Sequence, residues 1–221
     1  MIKGIIFDLD GTLIDSMGMW YDIDRRFLAE NGVTDPPAGI SWKIKQMTIE
    51  TAAEFMISEF GLGLTPVQVI RMIEELVREE YEHNIPLKRG AVELLDFLDM
   101  RSIPYGVATA TYKGLAVAAM KRCGVLDRMK FLLTDKEYPN GKGFPDIFLG
   151  AAELLGISPA ETLVVEDSLH CIETAASAGF LTAAVYEETA ALEWEQIKAV
   201  SDHSFMELGE LKTLFEVTEN E

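Results

Sequence analysis

The pattern of hydrophobic and polar residues changes along the chain, and this change predicts the fold. Short apolar runs occur near the start of the sequence and again in its second half, each bounded by glycine or polar residues. Such runs are typical of strands that are buried on both faces of a parallel sheet. Five strands are predicted, over residues 4–7, 103–109, 131–134, 163–165 and 182–186.

Single helices are predicted between the later strands, because apolar residues recur there every three or four positions and a glycine or a cysteine–glycine pair ends most of the runs. They cover residues 91–100, 114–123, 146–155 and 169–178. Strands that alternate with helices are connected by right-handed crossovers and form a parallel sheet. The predicted fold is therefore α/β, with a doubly wound, Rossmann-like parallel sheet.

A helical segment interrupts this alternation directly after the first strand. Residues 16–86 contain no convincing strand, whereas helices are predicted over residues 19–32, 49–60 and 66–81, with residues 41–47 ambiguous. We interpret residues 16–86 as an inserted α-helical cap domain, and residues 1–15 and 87–221 as the α/β core. We expect this cap to sit above the strand ends that carry Asp8 and Asp10.

Composition and charge narrow the class of protein. A chain of 221 residues that is 48% hydrophobic can fill the core of one large domain or of a domain with a smaller insertion. The net charge of −18 argues against nucleic-acid and anionic-membrane partners. No apolar run approaches the roughly 20 residues of a membrane span, so we expect a soluble, cytoplasmic protein, plausibly a monomer. Cys123 and Cys171 have no CxxC spacing, which predicts reduced packing residues.

Polar groups follow the ends of the predicted strands or lie in the loop beyond. They are Asp8 with Asp10, the run 109–113, Lys142 with Asp146, and Glu166 with Asp167. Because the carboxyl ends of parallel strands meet at one edge of the sheet, these groups are predicted to converge. Carboxylates with a lysine suit Mg²⁺ and a phosphoryl group. Candidate phosphate-binding residues are Thr109, Ala110, Thr111 and Lys142.

Each group also has a purely structural interpretation. Asp8 and Asp10 can form a strand-end turn, and Glu166 with Asp167 can cap the following helix. Lys142 in a glycine-rich loop can simply be solvated. These alternatives stay open for each group alone, whereas their occurrence together favours a site. His170, beside the acidic pair, is expected to be a surface or packing histidine.

The stretch Asp8-Leu9-Asp10-Gly11-Thr12 resembles the DxDGT motif of the haloacid dehalogenase superfamily. Later residues follow the order of this family's motifs, since Thr109 ends a hydrophobic strand, Lys142 precedes Pro145 and Asp146, and Glu166-Asp167-Ser168 closes another strand. The resemblance extends over nearly the whole chain. A helical insertion between the first two motifs is similar to the helical-cap group that includes β-phosphoglucomutase and phosphoglycolate phosphatase.

The resemblance implies a role for each matched residue. Asp8 would be the nucleophile that takes the phosphoryl group as an aspartyl-phosphate. Asp10 would protonate the leaving alcohol and then activate the hydrolytic water. Thr109 would bind phosphate, and Lys142 would stabilise the charge around Asp8. The implied cofactor is Mg²⁺, with Asp8, the backbone carbonyl of Asp10, Glu166 and Asp167 as ligands.

Two positions depart from the family's pattern. Gly143 follows Lys142 where the family usually has proline, which puts the rigidity of this loop in doubt. Ile49 stands where the sugar-phosphate mutase has an arginine for substrate recognition, so a true β-phosphoglucomutase is disfavoured.

We therefore expect a Mg²⁺-dependent phosphatase that hydrolyses a small phosphomonoester metabolite. The alternatives are a β-phosphoglucomutase-like phosphosugar mutase and, from another class, a non-catalytic sensor of a phosphorylated ligand. Substrate contacts from the inserted segment are expected at Met19, Trp20 and Lys45, because these residues flank the expected cleft.

Overall fold

The computed structural model describes residues 1–44, 47–134, 136–138 and 140–216. Lys45, one of the expected substrate contacts, lies outside the described residues. The chain divides into two compact units. The core unit comprises Met1–Ser16 and Pro86–Glu221, and the helical unit comprises Met17–Ile85.

The core unit contains a six-stranded sheet in which every neighbouring pair of strands is parallel. The strands are β1 (Gly4–Phe7), β2 (Tyr105–Thr109), β3 (Leu132–Thr134), β4 (Thr162–Glu166), β5 (Leu181–Val185) and β6 (His203–Phe205). Their order in the sheet is β3-β2-β1-β4-β5-β6. The α/β fold with a parallel sheet and an inserted helical segment is confirmed.

The helices fall into the same two units. The helical unit contains α1 (Met17–Glu30), α2 (Ile40–Ile44), α3 (Ile49–Phe60) and α4 (Pro66–His83). The core unit contains α5 (Ala91–Met100), α6 (Lys113–Arg122), α7 (Asp146–Leu155), α8 (Leu169–Ser177), α9 (Trp194–Val200) and α10 (Thr213–Glu216). None of the described helices combines the length and apolarity that a membrane span would need.

The centre of the sheet is dry because β1, β2 and β4 consist of residues that are buried on both faces. On one face, Ile6 and Val164 pack against Phe148 of α7 and Ala175 of α8. Strand β1 pairs with β2 on one side and with β4 on the other. The connections from β1 and β4 run in opposite directions, so a topological switch point lies between them, where α/β sheets bind ligands at the carboxyl ends of their strands.

Among the strands and α-helices of the core unit, β6, α9 and α10 were not predicted. Strand β6 has three residues, and each of them is at least partly exposed, so it lacks the buried apolar run that identifies the other strands. Helix α9 buries Ile197 alone. In the helical unit, α2 occupies part of the ambiguous stretch 41–47.

Local signals define the ends of the longer helices in the helical unit. The Thr48 side chain accepts a hydrogen bond from the backbone of Thr51 at the start of α3. Thr65 and Gln68 form a reciprocal capping box at the start of α4. Trp20 Nε1 donates to the hydroxyl of the fully buried Tyr81 at 3.1 Å, which links α1 to α4.

Candidate active site

The first strand delivers Asp8 to the switch point. The backbone N–H of Asp8 donates to the carbonyl of Val165 at 2.9 Å, so the pairing with β4 continues one residue beyond β1. A tight turn follows, in which the N–H of Ile14 donates to the carbonyl of Leu9 at 2.9 Å. Gly11 has φ +82°, a left-handed conformation that favours glycine. The two aspartates are thus held on either side of the start of a fixed turn.

A buried lysine joins the ends of β1 and β4. Lys142 lies in a 3-10 turn, Gly141–Gly143, and its Nζ donates to Asp8 Oδ1 and, at 2.7 Å, to Glu166 Oε1. All three side chains are buried, with 6%, 9% and 2% of their surfaces exposed. An ion pair that is removed from water loses hydration, and its attraction must offset this loss. Such an arrangement is costly for stability alone, which points to a functional reason.

Three carboxylates at this position fit a divalent cation. Oxygen atoms of Asp8, Glu166 and Asp167 all lie within 4.8 Å of one another, and all three residues are buried. Mg²⁺ prefers oxygen ligands and is commonly bound through a few carboxylates together with water and phosphate oxygens. The donor set therefore suits Mg²⁺.

Burial and charge oppose each other at Asp8. Loss of hydration raises the pKa of Asp8 well above its usual value, Lys142 acts against this rise, and the neighbouring carboxylates add to it. At Lys142 burial alone would lower the pKa, but the carboxylates of Asp8 and Glu166 outweigh it and keep the pKa above its usual value. The lysine consequently remains positively charged, and the site is short of positive charge for its carboxylates.

The pKa of Asp167 is also raised, by burial and by the excess of negative charge at the site. Burial, followed by the negative charge of Glu166, raises the pKa of Asp167 to about 7, against a lowering effect from Lys142. Glu187 adds a smaller rise to this pKa. A bound cation would favour the ionised form of this carboxyl group.

Asp10 lies outside the group of three clustered carboxylates. Ser16 Oγ donates to Asp10 Oδ1 at 2.6 Å, and Thr111 Oγ1 donates to Asp10 Oδ2. Two hydroxyl groups, one from the end of the turn after β1 and one from the loop after β2, therefore fix the orientation of this carboxylate. Its predicted metal contact through the backbone carbonyl stays a prediction.

The predicted phosphate-binding residues lie at the end of β2. Thr109 is the last residue of the strand and is buried, and its Oγ1 accepts a hydrogen bond from the N–H of Thr111 at 3.0 Å. Ala110 is exposed. We predicted that Thr111 binds substrate. In the structure its hydroxyl instead donates a hydrogen bond to Asp10, a contact that the sequence did not suggest.

Other candidates lie apart from this cluster. Asp146 is exposed at the start of α7 and accepts a hydrogen bond from Asn140 at 3.3 Å, which fits the helix-start interpretation. Lys113 pairs with Glu137 at 3.0 Å. His170 is exposed, in agreement with the interpretation of a surface histidine.

Sequence reasoning missed three residues around the site. Ser16, which is completely buried, contacts Asp10, and no motif assigned it. Lys88 and Glu187 form a largely buried ion pair although 99 positions separate them in the sequence. Neither belongs to a recognisable motif, so only the folded chain shows the pairing.

Comparison with known proteins identifies the family of this chain. The sequence profile of haloacid dehalogenase-like hydrolases matches residues 5–185. The N-acetylmuramic acid 6-phosphate phosphatase of Pseudomonas aeruginosa is 30% identical over 187 residues, which cover 83% of this chain and 81% of that protein. Hexitol phosphatase A of Escherichia coli is 29% identical, over 80% of each chain.

A solved structure shares the fold. The haloacid dehalogenase family hydrolase of Deinococcus radiodurans aligns with a TM-score of 0.78 and 18% identity, covering 99% of this chain and 96% of that one. Fold and site define an α/β enzyme with an acidic centre at the carboxyl edge of a parallel sheet. The chain belongs to the haloacid dehalogenase-like hydrolase family.

Proposed function

We propose that the protein is a Mg²⁺-dependent phosphatase that hydrolyses a small phosphomonoester, of the phosphorylated sugar class, through an aspartyl-phosphate at Asp8. The observation that carries the proposal is the buried contact of Lys142 with Asp8 and Glu166, beside Asp167, at the switch point of the sheet. The substrate class is supported by the names of two relatives, an N-acetylmuramic acid 6-phosphate phosphatase and a hexitol phosphatase.

The first step forms a bond between a carboxylate oxygen of Asp8 and the phosphorus of the substrate. The bond from phosphorus to the alcohol oxygen breaks, and protonated Asp10 gives its proton to this oxygen as the alcohol leaves. Ser16 and Thr111 hold the carboxyl group of Asp10 by its two oxygens. For this step Asp10 must carry a proton that the departing alcohol receives.

The second step hydrolyses the aspartyl-phosphate. Asp10, now ionised, takes a proton from a water molecule, and the oxygen of this water attacks phosphorus. The bond between phosphorus and the Asp8 oxygen breaks, which releases inorganic phosphate and restores the Asp8 carboxylate. Asp10 ends the cycle protonated, ready for the next substrate.

The remaining residues hold charge in both steps. Lys142 donates to Asp8 and offsets the charge that gathers on the transferring group. Thr109 and the backbone N–H of Ala110 are suited to hold phosphate oxygens at the end of β2. Asp8, Glu166 and Asp167 would hold Mg²⁺, which when bound supplies positive charge against the negative charge of the phosphoryl oxygens.

Replacing the nucleophile tests the proposal. Asp8→Asn keeps the shape of the side chain but removes the ionised oxygen, so turnover of 4-nitrophenyl phosphate with Mg²⁺ should fall by more than about 10³-fold. Asp146→Asn, a change of the same chemistry at the exposed start of α7, is the control and should retain activity. Circular dichroism shows whether both variants are folded. Activity retained by Asp8→Asn would refute the role of Asp8.

A panel of phosphorylated sugars, sugar alcohols and nucleotides, with free phosphate as the readout, identifies the substrate. Hexose 1-phosphate is included because conversion into hexose 6-phosphate would instead indicate a phosphosugar mutase. Ile49, at the exposed start of α3, offers no charge for a second phosphate, so we expect release of free phosphate. Absence of Mg²⁺-dependent turnover over the whole panel would favour a non-catalytic sensor.

A further inference from the structure

A second ion pair lies at the carboxyl edge of the sheet, outside the residues that we place in the reaction. Lys88 Nζ donates to Glu187 Oε2, and the two side chains are 15% and 5% exposed. Thr189 supports the other oxygen of Glu187 through its N–H at 3.3 Å and its hydroxyl at 3.4 Å. A glutamate held this firmly away from water needs a reason, because burial of a charge is costly.

The register of the sheet places Glu187 close to the acidic centre. Glu166 at the end of β4 pairs with Ala184 of β5, so Asp167 lies opposite Val185 when the register is continued by one residue. Side chains two positions apart on an extended chain point to the same face. Glu187 has an extended backbone, with φ −128° and ψ 128°, and so follows Val185 on the face that carries Asp167.

The position of Lys88 is fixed independently. Its backbone N–H donates to the carbonyl of Leu13 at 2.9 Å, and the N–H of Asp15 donates to the carbonyl of Pro86 at 2.9 Å. Lys88 Nζ also lies 3.7 Å from Asp15 Oδ1. Backbone hydrogen bonds therefore fix the main chain of Lys88, and the Lys88 side chain forms the ion pair with Glu187.

We propose that Glu187, whose buried carboxylate is paired with Lys88, strengthens by its negative charge the binding of a divalent cation at Asp8, Glu166 and Asp167 without contacting the cation itself. This inference rests on the proposed function, since it concerns the same cation. The geometry supports it, because a buried carboxylate on the face of the sheet that carries Asp167 attracts a positive charge near that residue.

Variants of Lys88 and Glu187 provide a test, because loss of charge and damage to the structure should change the Mg²⁺ affinity differently. Glu187→Gln removes a negative charge near the cation, so Mg²⁺ should bind about three- to tenfold more weakly. Lys88→Met removes a positive charge that repels the cation, so this variant should bind Mg²⁺ as tightly as wild type or more tightly. Damage to the local structure would instead weaken binding in both variants. Isothermal titration calorimetry of the cation-free full chain with MgCl₂ measures both, independently of turnover.

Matched controls separate local from general charge effects. Lys3 and Glu161 form an ion pair at 2.5 Å at the opposite, amino-terminal edge of the sheet. Lys3→Met and Glu161→Gln change the net charge by the same amounts as the test variants and should leave the Mg²⁺ affinity within about twofold of wild type. The double variant Lys88→Met/Glu187→Gln removes both charges of the pair, and its affinity should lie between those of the two single variants.

The outcomes are distinguishable. If Glu187→Gln fails to weaken Mg²⁺ binding relative to Glu161→Gln, or if Lys88→Met weakens it, the role of Glu187 is refuted. If wild type does not bind Mg²⁺, or if Asp167→Asn leaves its binding unchanged, the cation site of the proposed function fails first. Circular dichroism shows whether Lys88→Met is folded, and Lys88→Arg, which keeps the positive charge, should bind Mg²⁺ with the affinity of wild type.

Discussion

An ion pair of the core unit and one of the helical unit differ in their exposure to water. In the core unit, Lys142 is buried between Asp8 and Glu166 at the ends of two strands. In the helical unit, Arg26 of α1 meets carboxylates of α1 and α4 while 36% of its side chain remains exposed. Arg26 thus makes its ion pairs without leaving water, whereas Lys142 has given up its hydration.

The difference in burial between these ion pairs indicates which charges have a functional role and which only lie at the protein surface. Exposed ion pairs contribute little to stability, while breaking a buried pair leaves a charge with neither water nor partner. Most of the buried side chains described in the helical unit are apolar, such as Phe27, Met56 and Val69, although Asp24 is buried as well. The buried charges of the core unit are therefore the ones to associate with chemistry, and variants of the two units should respond differently.

The largest effect is expected from Lys142→Met. This change removes the partner of two buried carboxylates, so the free energy of unfolding of the cation-free protein should fall by about 3 kcal/mol. With Mg²⁺ present, turnover of 4-nitrophenyl phosphate should fall by about 10²–10³-fold, because the charge that stabilises the transferring group is lost. Urea denaturation in the presence of a chelator and steady-state kinetics measure the two quantities.

Lys113→Met is the matched control for this variant, since Lys113 pairs with Glu137 while about half of its side chain is exposed. It should change the free energy of unfolding by less than about 1 kcal/mol. Equal losses of stability in Lys142→Met and Lys113→Met would contradict the functional interpretation of the buried pair.

A second prediction concerns pH. The folded-state pKa of Asp167 is raised to about 7, above that of an aspartate in an unfolded chain, so the folded protein binds the extra proton and this group makes stability fall as pH rises toward 7. Asp167→Asn cannot titrate. In a chelator, the free energy of unfolding of Asp167→Asn minus that of wild type should therefore increase between pH 5 and pH 8, by about 2 kcal/mol.

Glu137→Gln shows whether this slope belongs to Asp167. Hydrogen bonds from Thr134 and Lys113 lower the pKa of Glu137 to about 2, so its contribution to stability is complete above pH 5 and is lost only in acid. Its difference from wild type should be flat between pH 5 and pH 8. A flat difference for Asp167→Asn as well would show that its carboxyl group is already ionised at pH 5.

Thr111→Val should have a smaller effect, confined to turnover. The substitution removes the hydroxyl that donates to Asp10 Oδ2 and keeps the shape of the side chain. Because Asp10 acts as both acid and base, kcat should fall by about tenfold with a smaller change in KM. Thr111→Ser retains the hydroxyl and should restore most of kcat. A raised KM with unchanged kcat would return Thr111 to the substrate-binding role that the sequence suggested.

The fold was predictable because its central strands obey a simple rule. Residues 4–7 and 163–165 are apolar without a polar face, which identifies strands covered on both sides. Strand β6 does not obey this rule, since it contains no apolar run and its middle residue Ser204 is exposed. Sequence patterns therefore predicted the strands with an apolar run, including β3 at the other edge of the sheet, and missed the one without such a run.

The candidate site was predictable only in part, for a related reason. Asp8, Thr109 and Glu166 each occur at the end of an apolar run, so the convergence of parallel strands indicates that they meet. Lys88 and Glu187 have no such signal, because their pairing depends on how a connecting segment and the chain after β5 meet. The roles assigned to the predicted residues stay predictions until the variants are measured.

The smallest effect is expected in the helical unit. Arg26→Met removes contacts to Glu30 at 3.2 Å, Glu79 at 2.6 Å and Glu80 at 2.5 Å. The free energy of unfolding should nevertheless fall by no more than about 1 kcal/mol, because most of these side chains are already in contact with water. The loss should shrink further in 1 M NaCl, where exposed charges are screened within about 3 Å. Urea denaturation at low and high salt measures both. The stability loss of Lys142→Met should persist in salt, since its partners are out of contact with the solvent. If Arg26→Met were as costly as Lys142→Met and equally insensitive to salt, burial would not distinguish the charges of the two units.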